Sequence, residues 1–270
     1  MITSLKSSRC LSLFSLKDRV AFVTGGAGQL GRQIVQVLTD LGARVVIADA
    51  DETAARKVRE SLLAEESEAM AVHCDTRDKN SVCRAMKMAV ERFSCVDILV
   101  NNAGVNVFEP FLERPEESVD WVMDVNLKGT LFCIQEFVRQ WTEERSEGKI
   151  INIASHYGLI SPDPRIYTDC KRNNSEIYGA TKAGIIQMTR YFAVHLADRK
   201  IRVNCISPGG VFNPEKPQGP DFIRRYSERC PAGRMAKAEE IQGAIAYLAS
   251  DASSYVTGHN LVLDGGMSCW

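Results

Sequence analysis

The sequence predicts a doubly wound α/β fold on two observations: short β-branched or apolar runs alternate with helix-patterned segments, and the runs lack the polar alternation of half-exposed strands. The runs are Val20 to Thr24, Arg44 to Asp49, Ala69 to Cys74, Asp97 to Asn101, Lys149 to Ala154, Ile201 to Ser207 and Leu261 to Leu263. Each reads as a strand buried on both faces, and seven of them separated by helices predict one parallel sheet. The helices are expected over Leu30 to Leu41, Thr53 to Ala64, Ser81 to Phe93, Val119 to Trp141, Tyr178 to Asp198 and Ala238 to Ala249. These lengths suit right-handed crossovers.

With 45% hydrophobic and 25% charged residues, the 270-residue chain has an ordinary globular composition. A formal net charge of -1, with no basic cluster interleaved with aromatics, argues against a nucleic acid partner and for small molecules. The nine cysteines are scattered and never spaced Cys-x-x-Cys, so neither a disulfide framework nor a zinc site is expected, and a reducing cytoplasm fits. The run from Cys10 to Phe14 is too short and serine-rich for a signal sequence, and no apolar span is long enough for a membrane. Residues 1–15 read as a loose extension and 16–270 as a single domain.

Two stretches break the rhythm. Residues 156–177 and 208–220 lack periodicity, collect Pro, Gly, Asn and charges, and each follows the carboxyl end of a strand, where open α/β sheets bind ligands. Both are candidate substrate loops.

The first strand runs into Thr24-Gly25-Gly26-Ala27-Gly28-Gln29-Leu30-Gly31 and then an amphipathic helix. Glycines there allow a tight turn and let backbone approach a pyrophosphate, which the helix N-terminus attracts. Such a loop alone can be a mere βα turn. With Asp49 ending the next strand, 49 − 31 = 18 residues on, it reads as a dinucleotide site of the Rossmann type. Asp49 would accept from the ribose hydroxyls and repel a 2′-phosphate, favouring NAD, while Arg32 leaves room for NADP. Alternatively Asp49 or Asp51 caps the helix beginning at Glu52. Asp75 would face the adenine or cap the next turn.

Two copies of Tyr-x-x-x-Lys follow Ser155: Tyr167 to Lys171 and Tyr178 to Lys182. A Tyr and a Lys four apart on a helix share a face, and the ammonium can lower the phenol's pKa for acid/base work. Together with Asn101-Asn102-Ala103-Gly104, Asn126 and Gly129, Pro208-Gly209-Gly210 and Asp264-Gly265-Gly266, these motifs resemble the single-domain branch of the short-chain dehydrogenase/reductase family, from about Leu16 to Asp264. The family's usual Ser to Tyr spacing of about a dozen selects Tyr167, since 167 − 155 = 12. The downstream register selects Tyr178: one rigid helix sets the distance from the lysine to the next strand's asparagine, and 204 − 182 = 22 matches the family whereas 204 − 171 = 33 adds three turns. Tyr178 and Lys182 are therefore assigned, and Pro162 to Ser175, within a loop near 160–176, reads as an insertion of about ten residues.

The resemblance implies roles. Tyr178 would exchange the proton, Lys182 lower its pKa and hold the nicotinamide ribose, Ser155 bind the reacting oxygen, and Asn126 anchor a water chain to Lys182. Cofactor contacts would come from Gly25, Gly28, Gln29, Leu30, Gly31, Asp49, Asp75, Asn102, Ala103, Gly104, Tyr178, Lys182, Pro208, Gly209 and Val211. Gln29 replaces the branch's middle glycine and is expected to touch or shape the pyrophosphate site, and Asn213 stands where many relatives bind the carboxamide with threonine. The motifs around Ser155 to Leu159 and Ser253 to Gly258 look similar to surface-sugar, flagellin-glycan and gluconate oxidoreductases. His156, Tyr157, Arg165, Tyr167 and Gly210, with Lys171, Arg172, Asn173 and Asn174, are candidate substrate contacts.

The implied activity is NAD-dependent interconversion of an alcohol and a ketone on a sugar, sugar acid or sugar phosphate. The alternatives are a 3-oxoacyl-thioester reductase using NADPH, and a non-catalytic NAD-binding sensor or scaffold. Phe132, Ile134, Phe137, Ile186, Met188, Phe192 and Val194 suggest interface helices of a homodimer or homotetramer, or simple burial against the sheet.

Overall fold

A computed structural model describes residues 9–63, 68–141, 147–168 and 174–270. Strands β1 (Val20–Thr24), β2 (Arg44–Asp49), β3 (Ala69–His73), β4 (Ile98–Asn101), β5 (Gly148–Ile153), β6 (Ile201–Pro208) and β7 (Asn260–Leu263) form one sheet in the order β3-β2-β1-β4-β5-β6-β7. Every pairing is parallel. The helices are α1 (Arg9–Ser12), α2 (Gln29–Asp40), α3 (Glu52–Leu63), α4 (Lys79–Phe93), α5 (Glu116–Met123), α6 (Gly129–Arg139), α7 (Glu176–His195), α8 (Pro220–Arg229) and α9 (Gln242–Ala249).

Alternation along β1 builds two cores. Val20 and Phe22 face a layer with Val82, Met86, Ile134 and Phe137 from α4 and α6. Ala21 and Val23 face Ile34, Val35, Leu38, Ile245 and Leu248 from α2 and α9. Each large apolar side chain removed from water on either face contributes about 2 kcal/mol. The central strands β1, β4, β5 and β6 are buried throughout, as expected. The outer strands β3 and β7 are not, because each has a neighbour on one side only.

Two helix expectations are corrected. The helix expected over Val119 to Trp141 is α5, a π-helical segment at Asp124–Lys128, and α6. The π turn widens the helix around Asn126, a device associated with functional positions. Helix α8 lies where no helix was expected; its signal was Pro220 at the first turn with Phe222 and Tyr226 one turn apart on the buried face. Of the extension, residues 9–15 include the turn α1, and Leu13 O accepts from Asp251 N at 3.1 Å. Ile134, Phe137 and Ile186 are buried in the protein's own cores, whereas Val194 and Tyr191 on α7 are exposed. Among the described residues no helix is long and apolar enough to cross a membrane.

Sheet order reverses between β1 and β4, and the crevice outside the carboxyl ends of these strands is where such a sheet binds ligands.

Candidate active site

A cleft of about 590 Å³ occupies that crevice, a size that suits a dinucleotide's reacting half together with a small substrate. Its first wall is the turn from β1 to α2. Gly25 adopts φ +60°, and a Cβ there would stand 2.9 Å from Ala103 Cα, so glycine keeps this loop against the turn after β4. Gly31 does not line the cleft: a Cβ on it would lie 2.0 Å from Gly25 O, so it lets α2 start directly behind the loop. The N–H groups of that first turn have no partner within the helix and are free to receive an anion such as a pyrophosphate.

Asp49 lines the cleft and accepts from Ala27 N through Oδ2 at 3.0 Å and from Asp51 N through Oδ1 at 3.0 Å. The residue hydrogen-bonded to the first turn of α3 is Asp51, whose Oδ1 accepts from Ala54 N. Asp49 thus braces the glycine loop, and the capping alternative belongs to its neighbour. Asp75 also lines the cleft, held by Arg77 at 2.7 Å, while α4 is capped by Asp78. The Arg77 hydrogen bonds hold the Asp75 carboxyl below its usual range. Beside it Cys74 has its thiol pushed up to about 12 by burial, with Asp75 and Asp49 adding to the effect, so this cysteine is an inert wall.

The turn after β4 is fixed by Thr24, whose hydroxyl accepts from both Asn102 N and Ala103 N at 3.1 Å. Asn102 Nδ2 returns to Gly25 O at 2.8 Å. Asn126 does not line the cleft; it is fully buried, and its side chain clamps Val105 at both ends, accepting from Val105 N at 2.8 Å and donating to Val105 O at 2.9 Å.

Ser155, Tyr178 and Lys182 all line the far end of the same cleft. Ser155 follows β5 and accepts from Tyr157 N at 3.1 Å. Tyr178 lies in the first turn of α7, whose N-cap Ser175 accepts from Tyr178 N at 3.2 Å. Lys182, one turn on, is buried; its Nζ donates to Ile153 O at 2.8 Å and lies 5.5 Å from the centre of the Tyr178 ring. Burial draws the ammonium down to about 8. Burial likewise raises the Tyr178 phenol above its ordinary value, with the Ser155 hydrogen bond opposing. The Tyr178 phenol therefore does not show the depression expected from Lys182, because the ammonium and the phenol are desolvated together.

Pro208, Gly209 and Val211 at the end of β6 complete the cleft opposite Gly28, Gln29 and Leu30. Gln29 Nε2 donates across to Phe212 O at 2.6 Å, and Arg32 pairs with Glu215 at 2.8 Å. Asn213 turns inward on its own loop, accepting from Glu215 N and Lys216 N.

Of the substrate candidates, His156, Tyr157, Arg165, Tyr167, Gly210 and Asn174 do not line this cleft. His156 is buried, its Nδ1 lacks a partner among the described residues, and burial draws its pKa down to about 4 with Asp264 opposing. Arg165 is exposed and tied to Asp163 at 2.7 Å. Gly210 N donates to Tyr226 Oη at 2.6 Å, which fixes it against α8. The hydroxyls of Tyr157 and Tyr167 meet at 3.2 Å, and the Tyr167 ring packs 5.3 Å from Phe222. Lys171, Arg172 and Asn173 lie outside the described residues. Thus Tyr178, not Tyr167, shares the cleft with Ser155.

Sequence reasoning missed Thr76, Arg77, Val105, Asn106, Trp121 and Val125 as lining residues. Several flank residues that were singled out; Trp121 and Val125 carry a usable signal, standing one turn apart ahead of Asn126.

Comparison with known proteins agrees with this architecture. A family model described as Enoyl-(Acyl carrier protein) reductase matches residues 25–268. The 3-oxoacyl-[acyl-carrier-protein] reductase FabG of Thermotoga maritima is 33% identical over 258 residues, covering 93% of this chain and 98% of the relative. The L-rhamnose 1-dehydrogenase (NAD(P)(+)) of Azotobacter vinelandii is 33% identical over 259 residues, covering 93% and 97%. Among solved structures, a gluconate 5-dehydrogenase from Burkholderia cenocepacia J2315 in complex with NADP and tartrate superposes with a TM-score of 0.88 at 29% identity, over 97% of this chain and 100% of that one. The chain belongs to the short-chain dehydrogenase/reductase family and is an NAD(P)-dependent oxidoreductase.

Proposed function

We propose that this protein interconverts a secondary alcohol and a ketone on a sugar, sugar acid or sugar phosphate, preferring NAD(H) and accepting NADP less well. The observation that carries the reading is the meeting of Ser155, Tyr178 and Lys182 in one cleft with Asp49 at its other end. When bound, a nicotinamide dinucleotide supplies the hydride acceptor or donor. Tyr178 Oη takes or returns the proton of the substrate hydroxyl. The Ser155 lone pair is engaged by Tyr157 N–H, which leaves the serine proton for Tyr178 or the reacting oxygen. Lys182, anchored on Ile153 O, would hold the ribose of a bound dinucleotide, and Asn126 fixes the Val105 backbone.

Support for NAD comes from charge. Asp49 faces the ribose end of the cleft, and the two nearby cations are already paired, Arg77 with Asp75 and Arg32 with Glu215. A polyhydroxylated substrate is supported by the sugar and gluconate dehydrogenases among the relatives. The second reading, a 3-oxoacyl-thioester reductase using NADPH, is favoured by the matching family model and the FabG relative. We assign the protein to the cytoplasm as a homodimer or homotetramer, with exposed Tyr191 and Val194 of α7 and Trp121 of α5 as the contact face.

The test follows NADH and NADPH absorbance over hexonates, polyols, sugar phosphates and an acetoacetyl thioester. Turnover with NAD and a polyol or hexonate is expected, falling by a factor on the order of 10²–10⁴ in Tyr178→Phe and less than about fivefold in Tyr167→Phe. Turnover confined to the thioester with NADPH would select the second reading, and loss only in Tyr167→Phe would overturn the site.

A further inference from the structure

The chain carries an unusual load between two groups that must meet. Ser155 and Tyr178 are 178 − 155 = 23 residues apart, so the segment joining them does not by itself fix the tyrosine. The two ends of the insertion are tied down separately. On the outgoing side, Ile166 enters the cluster of Phe222, Tyr226 and Met235, and Thr168 hydrogen-bonds Asp221. On the returning side, the contacts converge on Asn106, a cleft-lining residue two positions after Gly104.

The Asn106 side chain joins three pieces of chain. Its Nδ2 donates to Asn174 Oδ1 at 2.9 Å, and its Oδ1 accepts from Ser175 Oγ at 3.1 Å and from Val107 N at 2.9 Å. These three bonds define the amide's orientation and occupy three of its four hydrogen-bonding positions. Ser175 is the buried N-cap of α7, and its Oγ accepts from the backbone N of Tyr178 itself. Val105, the preceding residue, is held at both ends by Asn126, which also donates to Thr181 on α7 at 3.2 Å. A second tie lies one residue into the helix: Arg114, whose side chain is 3% exposed, pairs with Glu176 and donates to Glu109 O at 2.6 Å.

From this geometry we propose that Asn106 is a positioning residue for the catalytic tyrosine: through the Ser175 cap it sets where Tyr178 sits relative to Ser155 and Lys182, in place of the short connection the insertion has lengthened. Arg114 supports the same turn through Glu176. The inference rests on the oxidoreductase reading above. An ordinary cap would stabilise α7 without regard to the cleft. Here the cap is hydrogen-bonded to a side chain that lines the cleft, on a loop whose preceding residue Asn126 holds.

The test uses the full chain saturated with NAD and needs no identified substrate. Phenolate absorbance near 295 nm is titrated in each protein and in the same protein carrying Tyr178→Phe; the difference isolates Tyr178. The groups facing that phenol are Ser155 at the end of β5, Tyr157 in the following turn and Lys182 on α7. Asn106→Ala and Ser175→Ala are expected to move the Tyr178 midpoint to the alkaline side by at least about half a pH unit, a threefold change in proton affinity, as the phenol drifts from the Ser155 hydroxyl whose hydrogen bond lowers it. Ser175→Thr, which keeps the hydroxyl, is expected to restore it. NAD affinity, followed by quenching of tryptophan fluorescence, is expected to stay within about twofold in Ser175→Ala, whose side chain does not line the cleft. If Asn106→Ala does not fold, Asn174→Ala removes one of the same bonds and serves instead. An unmoved midpoint in folded variants that still bind NAD overturns the proposal. A wild type that binds neither NAD nor NADP would instead overturn the oxidoreductase reading, and this inference with it.

Discussion

The two halves of the cleft are built by different means. Around β1, β2 and β4 the backbone does the shaping: two glycines allow close approach, Thr24 fixes the turn after β4, and Asp49 braces the glycine loop. Behind the ends of β5 and β6 the wall is backed by side chains of irregular segments that do not line the cleft but pack on one another, with Ile166 and Tyr167 against Phe222 and Tyr226 against Gly210. A backbone-built half fails when a single Cβ is added. A half built by side-chain packing should fail in increments.

The largest expected effect tests the first half. In Gly31→Ala the new Cβ would meet Gly25 O and Gly26 Cα, at 2.0 and 2.8 Å, and both are backbone atoms that cannot swing away. Helix α2 must retreat from the glycine loop, with an expected loss of roughly 3 kcal/mol or more in stability and on the order of 100-fold in NAD affinity. Calorimetric titration with NAD checks this, and wild-type affinity in the variant would show that the loop yields more readily than its contacts imply.

A second effect belongs to the substrate half and depends on pH. The buried His156 has a folded value of about 4 against an ordinary 6.5, so at pH 7 it is neutral in both states. As pH falls through 6.5 the unfolded chain takes up a proton that the folded chain refuses, and stability is lost down to about pH 4, by about 3 kcal/mol in all. The carboxyls of Asp163 and Glu240, held at about 2, lose stability at lower pH and in the same way in any His156 variant. Urea melts at pH 7 and 4.5 should therefore show a smaller acid loss in His156→Gln than in wild type. Equal losses would mean the imidazole is hydrated after all.

The same contrast explains what the sequence disclosed. The strands, the glycine turn and the Ser155, Tyr178, Lys182 set were legible because each follows from a local rule: period, positive φ, or one rigid helix between Lys182 and Asn204. Asn204 accordingly ties β6 to the turn before β7, donating to Val256 O and accepting from His259 N. The substrate half was not legible in this way. Nothing local says that Ile166 will wedge into α8 or that Asn106 will reach Asn174, because those contacts join segments 50 or more residues apart. Arg165 shows the reverse case: a guanidinium read from the sequence as a candidate substrate contact is, in the fold, paired with Asp163 two residues before it.

Truncating the wedge measures how incremental that half is. Ile166→Ala removes a buried side chain from a small cluster that can partly collapse, so a loss near 2 kcal/mol is expected, at the low end for such substitutions. The Michaelis constant for substrate should rise severalfold while NAD affinity stays level, the opposite of Gly31→Ala. A parallel loss of NAD affinity in thermal and binding measurements would mean the halves are not separable.

The smallest expected effect lies where the halves touch. Gln29 and Arg32 in the first turn of α2 reach across the cleft mouth to Phe212 O and Glu215, residues on the loop after β6. A neutral hydrogen bond contributes about 1 kcal/mol and an exposed ion pair 0–1 kcal/mol, so removing each should speed cofactor release by no more than about fivefold. Gln29→Gly, which restores the residue usual in this branch of the family, is expected to raise the NADH off-rate at any ionic strength. Arg32→Ala is expected to raise it only at low salt, since exposed charges are screened within about 10 Å at 0.1 M. Exchanging the charges, Arg32→Glu with Glu215→Arg, should bring the rate back. Stopped-flow NADH fluorescence distinguishes these cases. An off-rate that ignores both positions would mean that the loop after β6 opens independently of the glycine helix, and that the two halves meet without being joined.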